Sequence, residues 1–364
     1  MRFPPPEVIA SWPTPNYTDP ATRGPALIII ESIFLAVSVA CVGLRLYVRM
    51  GTMSAKVELD DWLMVAAETF AIGVTTCVLL AYDRYGWDMH VWDLSIDTMV
   101  AGRQISFAVQ ALFILATCLA KISILVSYLR LSPKNSRFRR MTFVGIWWVA
   151  LSSVTFFIFL FAQCSPLSSY WDLLRNAHDC TAEGPPLIAH AATTICSDFL
   201  VWVLPLPSLY RAKLPLSQRL ALIVLFSVGL LVVFAACIRT YWVHYVVDGT
   251  YDITWEGFNL WLWTAVEVQL GVICGCVPWL KALVKFWRSR NTVVDLTDTW
   301  SPTVGQRTRS DRGRSMTCGE AAGSIAARTD SVGKDGNESS EEFPDLESGS
   351  NTVVGDHGEV GLAV

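Results

Sequence analysis

The chain has 364 residues, of which 52% are hydrophobic and only 16% are charged, and it contains 15 tryptophans. This composition is typical of a membrane protein and excludes a soluble globular domain. The net charge of -4 averages two different regions, because residues 291–364 hold 6 basic against 13 acidic residues and residues 1–290 hold 22 against 19. The acidic character therefore belongs to a C-terminal tail.

Seven apolar stretches follow one another along the chain, each with about the 20 residues that a helix needs to cross a bilayer. They cover residues 25–44, 62–82, 104–131, 141–162, 187–206, 220–238 and 258–280. We therefore predict an all-α, seven-helix bundle over residues 25–288, preceded by an outer segment at residues 1–24. Residues 289–364 are too poor in large apolar side chains to fold alone, which predicts a disordered cytoplasmic tail.

The distribution of basic residues predicts the orientation of these helices. With the N-terminus outside, 15 Lys and Arg residues fall in the cytoplasmic segments against 6 in the outer ones. Asn16-Tyr17-Thr18 is then a glycosylation sequon on the outer side. Cys164 and Cys180 share one outer loop, where either a disulfide bond or two free thiols is possible.

The third apolar stretch carries a lysine, Lys121, well inside the predicted helix. At about 100° per residue, one face of this helix is polar along its whole length. A neighbouring face has only small residues, which would let another helix approach closely. The polar face consists of Arg103, Gln110, Thr117, Lys121 and Tyr128, and the small face of Ala116, Ala120, Ser123 and Ser127.

Four further ionisable residues lie within the predicted membrane helices, namely Glu31, Glu68, Asp198 and Glu267. Depth along the helices makes a Glu68–Lys121 ion pair plausible, with Asp198 or Glu267 as a competing partner for the lysine. Charged side chains at this depth are costly and normally face the bundle interior. Two interpretations stay open: buried pairs that fix the helix register, or a site for a ligand, ion or proton.

Aromatic and charged residues gather on the predicted outer side of the bundle. They could line a ligand vestibule, although tryptophans at this level also serve as interfacial anchors. The candidate vestibule residues are Trp87, His90, Trp92, Arg103 and Arg239. Neither the cysteines nor the histidines have metal-ligand spacing, so no metal site is predicted. Without a nucleotide-binding glycine pattern, a nucleophile elbow or an HExxH motif, no catalytic residues or nucleic-acid partner are predicted.

Several short motifs resemble one known family. They are RLYVR at 45–49, DDWL at 60–63, GWDMHVWDL at 86–94, AKISILVSYLRL at 120–131, CSPLSSYWD at 164–172, SDFLVWVLPLPSLYRAKL at 197–214 and CVPWLK at 276–281. In this order they resemble the fungal rhodopsin-domain integral membrane proteins, which include Pth-type receptor-like proteins and a satratoxin-cluster membrane protein. The resemblance implies a seven-helix fold and a G-protein-coupled-receptor-like role.

The chain departs from the animal receptors and opsins in three places. No lysine lies within residues 258–280, so retinal has no attachment residue and no cofactor is expected. The third helix ends in SYLRL rather than in an acidic-Arg-Tyr triplet, and the seventh lacks an Asn-Pro-x-x-Tyr run. The label of rhodopsin is therefore nominal for this chain.

The sequence thus predicts a receptor-like sensor of a plasma membrane or endomembrane. A small-molecule ligand would bind in the outer half of the bundle, and a signalling partner would bind the basic cytoplasmic face. The alternative is a cyclase-like membrane enzyme or a transporter of a secondary-metabolite pathway. In that case Asp198, Glu267 and Glu68 would be candidate general acids, because desolvation favours the protonated carboxyl.

Overall fold

A computed structural model describes residues 4–52, 57–131, 137–172, 180–207 and 216–298 of the chain. Within these residues, seven helices are long and apolar enough to cross a membrane, which makes this a multi-pass membrane protein with the lipid bilayer as its surroundings. A short helix, Pro6–Ser11, precedes them. The seven are α1 Ala26–Tyr47, α2 Leu59–Tyr85, α3 Ile96–Leu131, α4 Arg137–Ala162, α5 Gly184–Val203, α6 Leu216–His244 and α7 Ile253–Asp298.

Several of these helices are longer than the apolar stretches that predict them. α3 begins at Ile96, about two turns before residue 104, and α7 continues to Asp298. Hydropathy marks the part of a helix that lies in hydrocarbon, whereas backbone hydrogen bonding continues beyond it. Consequently Arg103 lies on α3 rather than in a loop, and residues 289–298 of the predicted tail are helical. Residues 299–364 lie outside the described part of the chain.

The seven helices pack side by side as a closed ring. Consecutive helices pack against each other from α1 to α7, α7 packs back on α1, and α3 also contacts α5 and α7. The small face of α3 is buried against α2, where Ser123 Oγ donates to the Asp60 carbonyl oxygen at 2.6 Å. As expected for small residues in a membrane protein, this face allows two helices to approach closely.

Burial differs strongly between the helices. In the apolar part of α7 61% of the residues are buried, and in α3 50%, but only 17% in α4. Large apolar side chains of α4 point outward, among them Trp147 and Leu151, which are 73% and 68% exposed. Such a surface would be unfavourable in water and is favourable against lipid chains. α3 and α7 therefore form the interior of the bundle.

The chain leaves α2 through Gly86, which has a left-handed backbone with φ of 63°. Its backbone N–H donates to the Ala81 carbonyl oxygen and so closes the end of the helix. A Cβ atom at this position would overlap the side chain of Leu94. Glycine is therefore required here both by conformation and by space.

We expect Gly86→Ala to lower the thermal stability of the purified protein, measured in detergent as the unfolding temperature. The left-handed backbone alone costs a residue with a Cβ roughly 1–2 kcal/mol, and the overlap with Leu94 adds to this. Gly24→Ala is the matched control, because Gly24 has a φ of 77° but open space around its Cβ position. Equal losses for the two variants would show that the contact with Leu94 contributes nothing.

Candidate functional site

The interior of the bundle contains an ion pair between α3 and α5. Lys121 Nζ lies 3.1 Å from Asp198 Oδ1, and both side chains are buried. The same ammonium group donates to Ser197 Oγ at 2.8 Å and to the Thr194 carbonyl oxygen at 3.3 Å. All three N–H donors of the lysine therefore have an acceptor on α5. Its charge is compensated within the bundle.

The Glu68–Lys121 pair considered from the sequence does not form. Asp198, its competitor, is the partner of the lysine, whereas Glu68 Oε1 accepts a hydrogen bond from Ser38 Oγ of α1 at 2.9 Å. The two residues lie at a compatible depth but face different neighbours, since Lys121 points to α5 and Glu68 to α1. The depth of a residue along its helix does not determine how the helix is rotated about its axis, and so it does not determine which neighbour the side chain faces.

A second buried ion pair joins α6 and α7. Arg239 Nε lies 2.6 Å from Glu267 Oε2, with side-chain exposures of 4% and 2%, and the guanidinium also covers the ring of Phe113 at 4.5 Å. The sequence prediction placed Arg239 in the outer vestibule because the sixth apolar stretch ends at residue 238. That placement is wrong, since α6 continues to His244 and holds Arg239 inside the bundle.

A cavity lies between α3, α5, α6 and α7, beside both ion pairs. The empty space that its lining residues border, including the part that opens to the surroundings, is about 610 Å³. Its polar lining consists of Thr117, Lys121, Tyr128, Asp198 and Glu267, and its apolar lining includes Trp202, Val232 and Val268. Among the described residues, neither Asp198 Oδ2 nor Glu267 Oε1 has a hydrogen-bond partner. Two buried carboxylates, each with one unpartnered oxygen, therefore belong to residues that line a mostly apolar cavity.

A smaller cavity of about 280 Å³ lies on the other side of Lys121, between α3, α4 and α5. Its lining is rich in hydroxyl groups, with Ser152, Ser153, Thr193, Thr194 and Ser197. Several of these hydroxyls donate to carbonyl oxygens of their own helices, as Thr194 does to His190 at 2.9 Å. The Lys121 side chain thus separates an apolar cavity from a polar one.

Arg103 and Gln110, at the start of the polar face of α3, hold the loop that follows α4. Arg103 donates to the Tyr170 carbonyl oxygen at 2.7 Å and pairs with Glu183 at 2.6 Å. Gln110 donates to Tyr170 Oη at 3.4 Å. Burial raises the pKa of Tyr170 to about 12, so its hydroxyl stays protonated. These two residues therefore support the loop and line neither of the two cavities.

The same loop contains a disulfide bond between Cys164 and Cys180. The Thr181 backbone N–H donates to the Gln163 carbonyl oxygen at 2.8 Å beside it. On another part of the surface, Asn16 is exposed, and its side-chain amide donates to the Asp19 carbonyl oxygen at 2.6 Å.

The three aromatic residues of the predicted vestibule pack in two stacks. Trp87 stacks on Trp261 with ring centroids 4.4 Å apart. His90 is stacked between Trp92 at 4.4 Å and Trp255 at 3.9 Å, and its Nδ1 lies 2.5 Å from Asp252 Oδ2. The five vestibule residues of the sequence analysis therefore lie in different sets of contacts, because Arg103 supports the loop after α4 from its place on α3 and Arg239 lies inside the bundle.

Sequence reasoning missed a buried ionic network at the opposite end of the bundle. Arg45 lies 2.7 Å from Asp60 and 3.0 Å from Asp61, and Arg49 lies 2.7 Å from Asp61. Arg45 also donates to the Gly275 carbonyl oxygen at 2.8 Å, which joins α1 and α2 to α7. The available signal was the spacing of four between the arginines, which places both on one helix face, together with the acidic pair at the start of the next helix.

Comparison with known proteins decides the family. Residues 44–286, well over half of the chain, match the fungal rhodopsin domain. The chain belongs to the fungal rhodopsin domain family. The matched region of this fungal rhodopsin-domain protein contains the Arg45 network, the Lys121–Asp198 and Arg239–Glu267 pairs and the larger cavity.

Its relatives include proteins named for different roles. The chain is 24% identical to Fugralins biosynthesis cluster protein 2 of Gibberella zeae, over 74% of this chain and 68% of that protein. It is 21% identical to Receptor GIN3 of Arthrobotrys oligospora, over 80% and 71%. It is 24% identical to Satratoxin biosynthesis SC1 cluster protein 4 of Stachybotrys chartarum, over 48% and 62%. No solved structure matches the chain.

We expect Lys121→Met and Asp198→Asn each to lower the unfolding temperature markedly. Removing one partner of a buried pair leaves an uncompensated group and costs roughly 3–5 kcal/mol. The double variant should lose less than the sum of the two, which a double-mutant cycle measures. Arg84→Met is the control, because the Arg84–Asp83 pair is 72% and 73% exposed and such pairs contribute about 0–1 kcal/mol. Fully additive losses would contradict a pairing role for Lys121.

The stability of the folded protein should depend on pH through Asp88, which lies in the connection between α2 and α3. Its carboxyl is buried, and burial raises its pKa above the ordinary value. The folded state therefore binds this proton more tightly than the unfolded state does. The stability that this proton contributes is complete below the ordinary pKa of about 4 and is lost as the pH rises through the raised pKa.

We expect Asp88→Asn to flatten the fall of the unfolding temperature above pH 4 and to raise it at neutral pH. Asp83→Asn, which changes an exposed carboxyl in the last turn of α2, should leave the profile unchanged. If Asp88→Asn keeps the wild-type profile, the carboxyl of Asp88 does not contribute to it.

Proposed function

We propose that this protein is a receptor-like membrane sensor whose small-molecule ligand binds in the cavity between α3, α5, α6 and α7. The observation that carries the proposal is the pair of unpartnered acceptors, Asp198 Oδ2 and Glu267 Oε1, in the lining of a mostly apolar cavity. Ligand sites in proteins are commonly apolar with a few converging polar groups. The outer aromatic residues support such a site less well, because they are packed against each other.

The charges around the cavity favour a particular class of ligand. Lys121 and Arg239 compensate Asp198 and Glu267, so the four side chains carry no net charge. A charged ligand would disturb this balance in a medium that penalises an unpaired charge. A neutral, largely apolar molecule with one or two hydroxyl groups fits best, because each hydroxyl can donate to one free carboxylate oxygen.

The proposed topology places the N-terminus outside and residues 289–364 in the cytoplasm. The asymmetry of Lys and Arg residues supports it. With this topology, Asn16 is accessible for glycosylation and a signalling partner would bind the opposite face. One relative is named as a receptor, which supports a sensor within this family.

The second candidate is a membrane enzyme or transporter of a secondary-metabolite pathway. Two of the relatives are named as biosynthesis cluster proteins, which favours this class independently of the cavity. In an enzyme, Asp198 or Glu267 would act as a general acid on a substrate held in the same cavity. The two candidates therefore share the site and differ in whether the bound molecule is changed.

We expect Gly271→Leu to abolish function by filling the cavity. Gly271 lines the cavity and has no atom within 4 Å of its Cβ position, so a side chain can begin there and extend into the cavity. The variant is expressed in a deletion strain, and transcripts and metabolites are both profiled. For a sensor, the transcript response is lost and no precursor accumulates.

Gly43→Leu is the matched control, because Gly43 is exposed on α1 and also has open space around its Cβ position. It should behave as the wild type in both profiles. An accumulating precursor with Gly271→Leu would favour the enzyme or transporter. Wild-type behaviour of Gly271→Leu in both profiles would contradict a function of this cavity.

A further inference from the structure

Glu31, on α1, is a buried carboxyl without compensation. It is 0% exposed, and within the described part of the chain neither of its oxygens makes a hydrogen bond or lies in an ion pair. Of the six other buried carboxyls among the described residues, those of Asp60, Asp61, Asp198 and Glu267 each pair with an arginine or a lysine. Those of Glu68 and Asp88 have one oxygen each without a hydrogen-bond partner, whereas in Glu31 both oxygens lack one. An ionised carboxylate buried without a partner is strongly unfavourable, so Glu31 requires a positive charge or a proton.

The surroundings of Glu31 add oxygen ligands from two other helices. The side-chain hydroxyl of Thr75, on α2, lies beside this carboxyl. Gln269 Nε2, on α7, donates to Thr75 Oγ at 3.2 Å, and both residues are 1% exposed. Gln269 Oε1 has no hydrogen-bond partner among the described residues. Three buried acceptor oxygens, two of Glu31 on α1 and one of Gln269 on α7, thus lie near the Thr75 hydroxyl of α2 without a hydrogen-bond partner among the described residues.

We propose that Glu31, Thr75 and Gln269 form a binding site for a monovalent cation such as Na⁺. Carboxylate, amide and hydroxyl oxygens are the ligands that hard cations take. The single negative charge of Glu31 neutralises one positive charge, whereas a divalent cation would leave a net charge in the membrane interior. A proton on Glu31 is the competing way to neutralise the carboxylate, and it differs from a cation in that the cation contacts several oxygens at once.

The bound cation would connect α1, α2 and α7 at a place where no ion pair in the described chain joins them. At the other end of these helices, Arg45 makes the same connection through Asp61 and the Gly275 carbonyl oxygen. The cation should therefore stabilise the folded bundle, because a ligand of the native state shifts the unfolding equilibrium by mass action. This proposal is independent of the ligand and of the role of the larger cavity.

The test measures the unfolding temperature of the purified full-length protein in detergent, in NaCl against choline chloride at equal ionic strength. We expect NaCl to raise the wild-type value at pH 8, with a midpoint that moves to higher NaCl at pH 5, because a proton competes for Glu31. Glu31→Gln should lose the rise, since a neutral amide needs no cation. Glu7→Gln is the control, because Glu7 is exposed, and it should keep the wild-type rise.

Two outcomes would overturn the proposal. If NaCl and choline chloride give equal wild-type values while acidification stabilises the wild type but not Glu31→Gln, Glu31 holds a proton only. If Glu31→Gln keeps the rise in NaCl, the cation binds elsewhere. Thr75→Val provides a second variant should Glu31→Gln not yield folded protein, and it should move the NaCl midpoint at least several-fold higher. An unchanged midpoint for Thr75→Val would equally contradict the site.

Discussion

Compensation of buried charge is the constraint on which this structure depends. A charged side chain inside a bilayer has no water to solvate it, so the bundle must supply an opposite charge or a set of hydrogen bonds. The chain does so with Lys121–Asp198 between α3 and α5, Arg239–Glu267 between α6 and α7, and Arg45 with Asp60 and Asp61 between α1 and α2. Each pair links two different helices, and each is costly to break.

These pairs also set the helix order around α3. Apolar contacts between helices are weakly specific in lipid, because the lipid chains are as apolar as the side chains. Lipid chains cannot replace the partner in an ion pair. Each pair therefore selects one neighbouring helix and one rotation of that helix about its axis. The small face of α3 then fills the space against α2, where Ser127 donates to Asp60 Oδ2 at 3.1 Å and so adds α3 to the network of Arg45.

The sequence predicts the number of helices and the interior position of α3, because length, hydropathy and the spacing of small residues depend on one segment at a time. It leaves the partner of Lys121 open, since that choice depends on which helices become neighbours and how each is rotated. Arg239 was misplaced and the Arg45 network missed for one common reason. Hydropathy assigns charged residues at the end of an apolar stretch to a loop, whereas here the helices continue and bury them.

Some buried polar atoms in this bundle have hydrogen-bond partners and support the fold. Others lack a partner within the described part of the chain, and these are the candidates for binding a ligand or an ion. Each of the three N–H donors of Lys121 has an acceptor on α5. Lys121 therefore links α3 to α5 and has no donor left for a ligand. Among the described residues, the acceptors left over include one oxygen each of Asp198 and Glu267 and the whole carboxylate of Glu31 with the amide oxygen of Gln269, and the donors left over include Arg239 Nη2. Acceptors buried without donors are rare because they are costly. Both groups of acceptors therefore favour binding partners that bring positive charge or hydrogen-bond donors into the membrane interior.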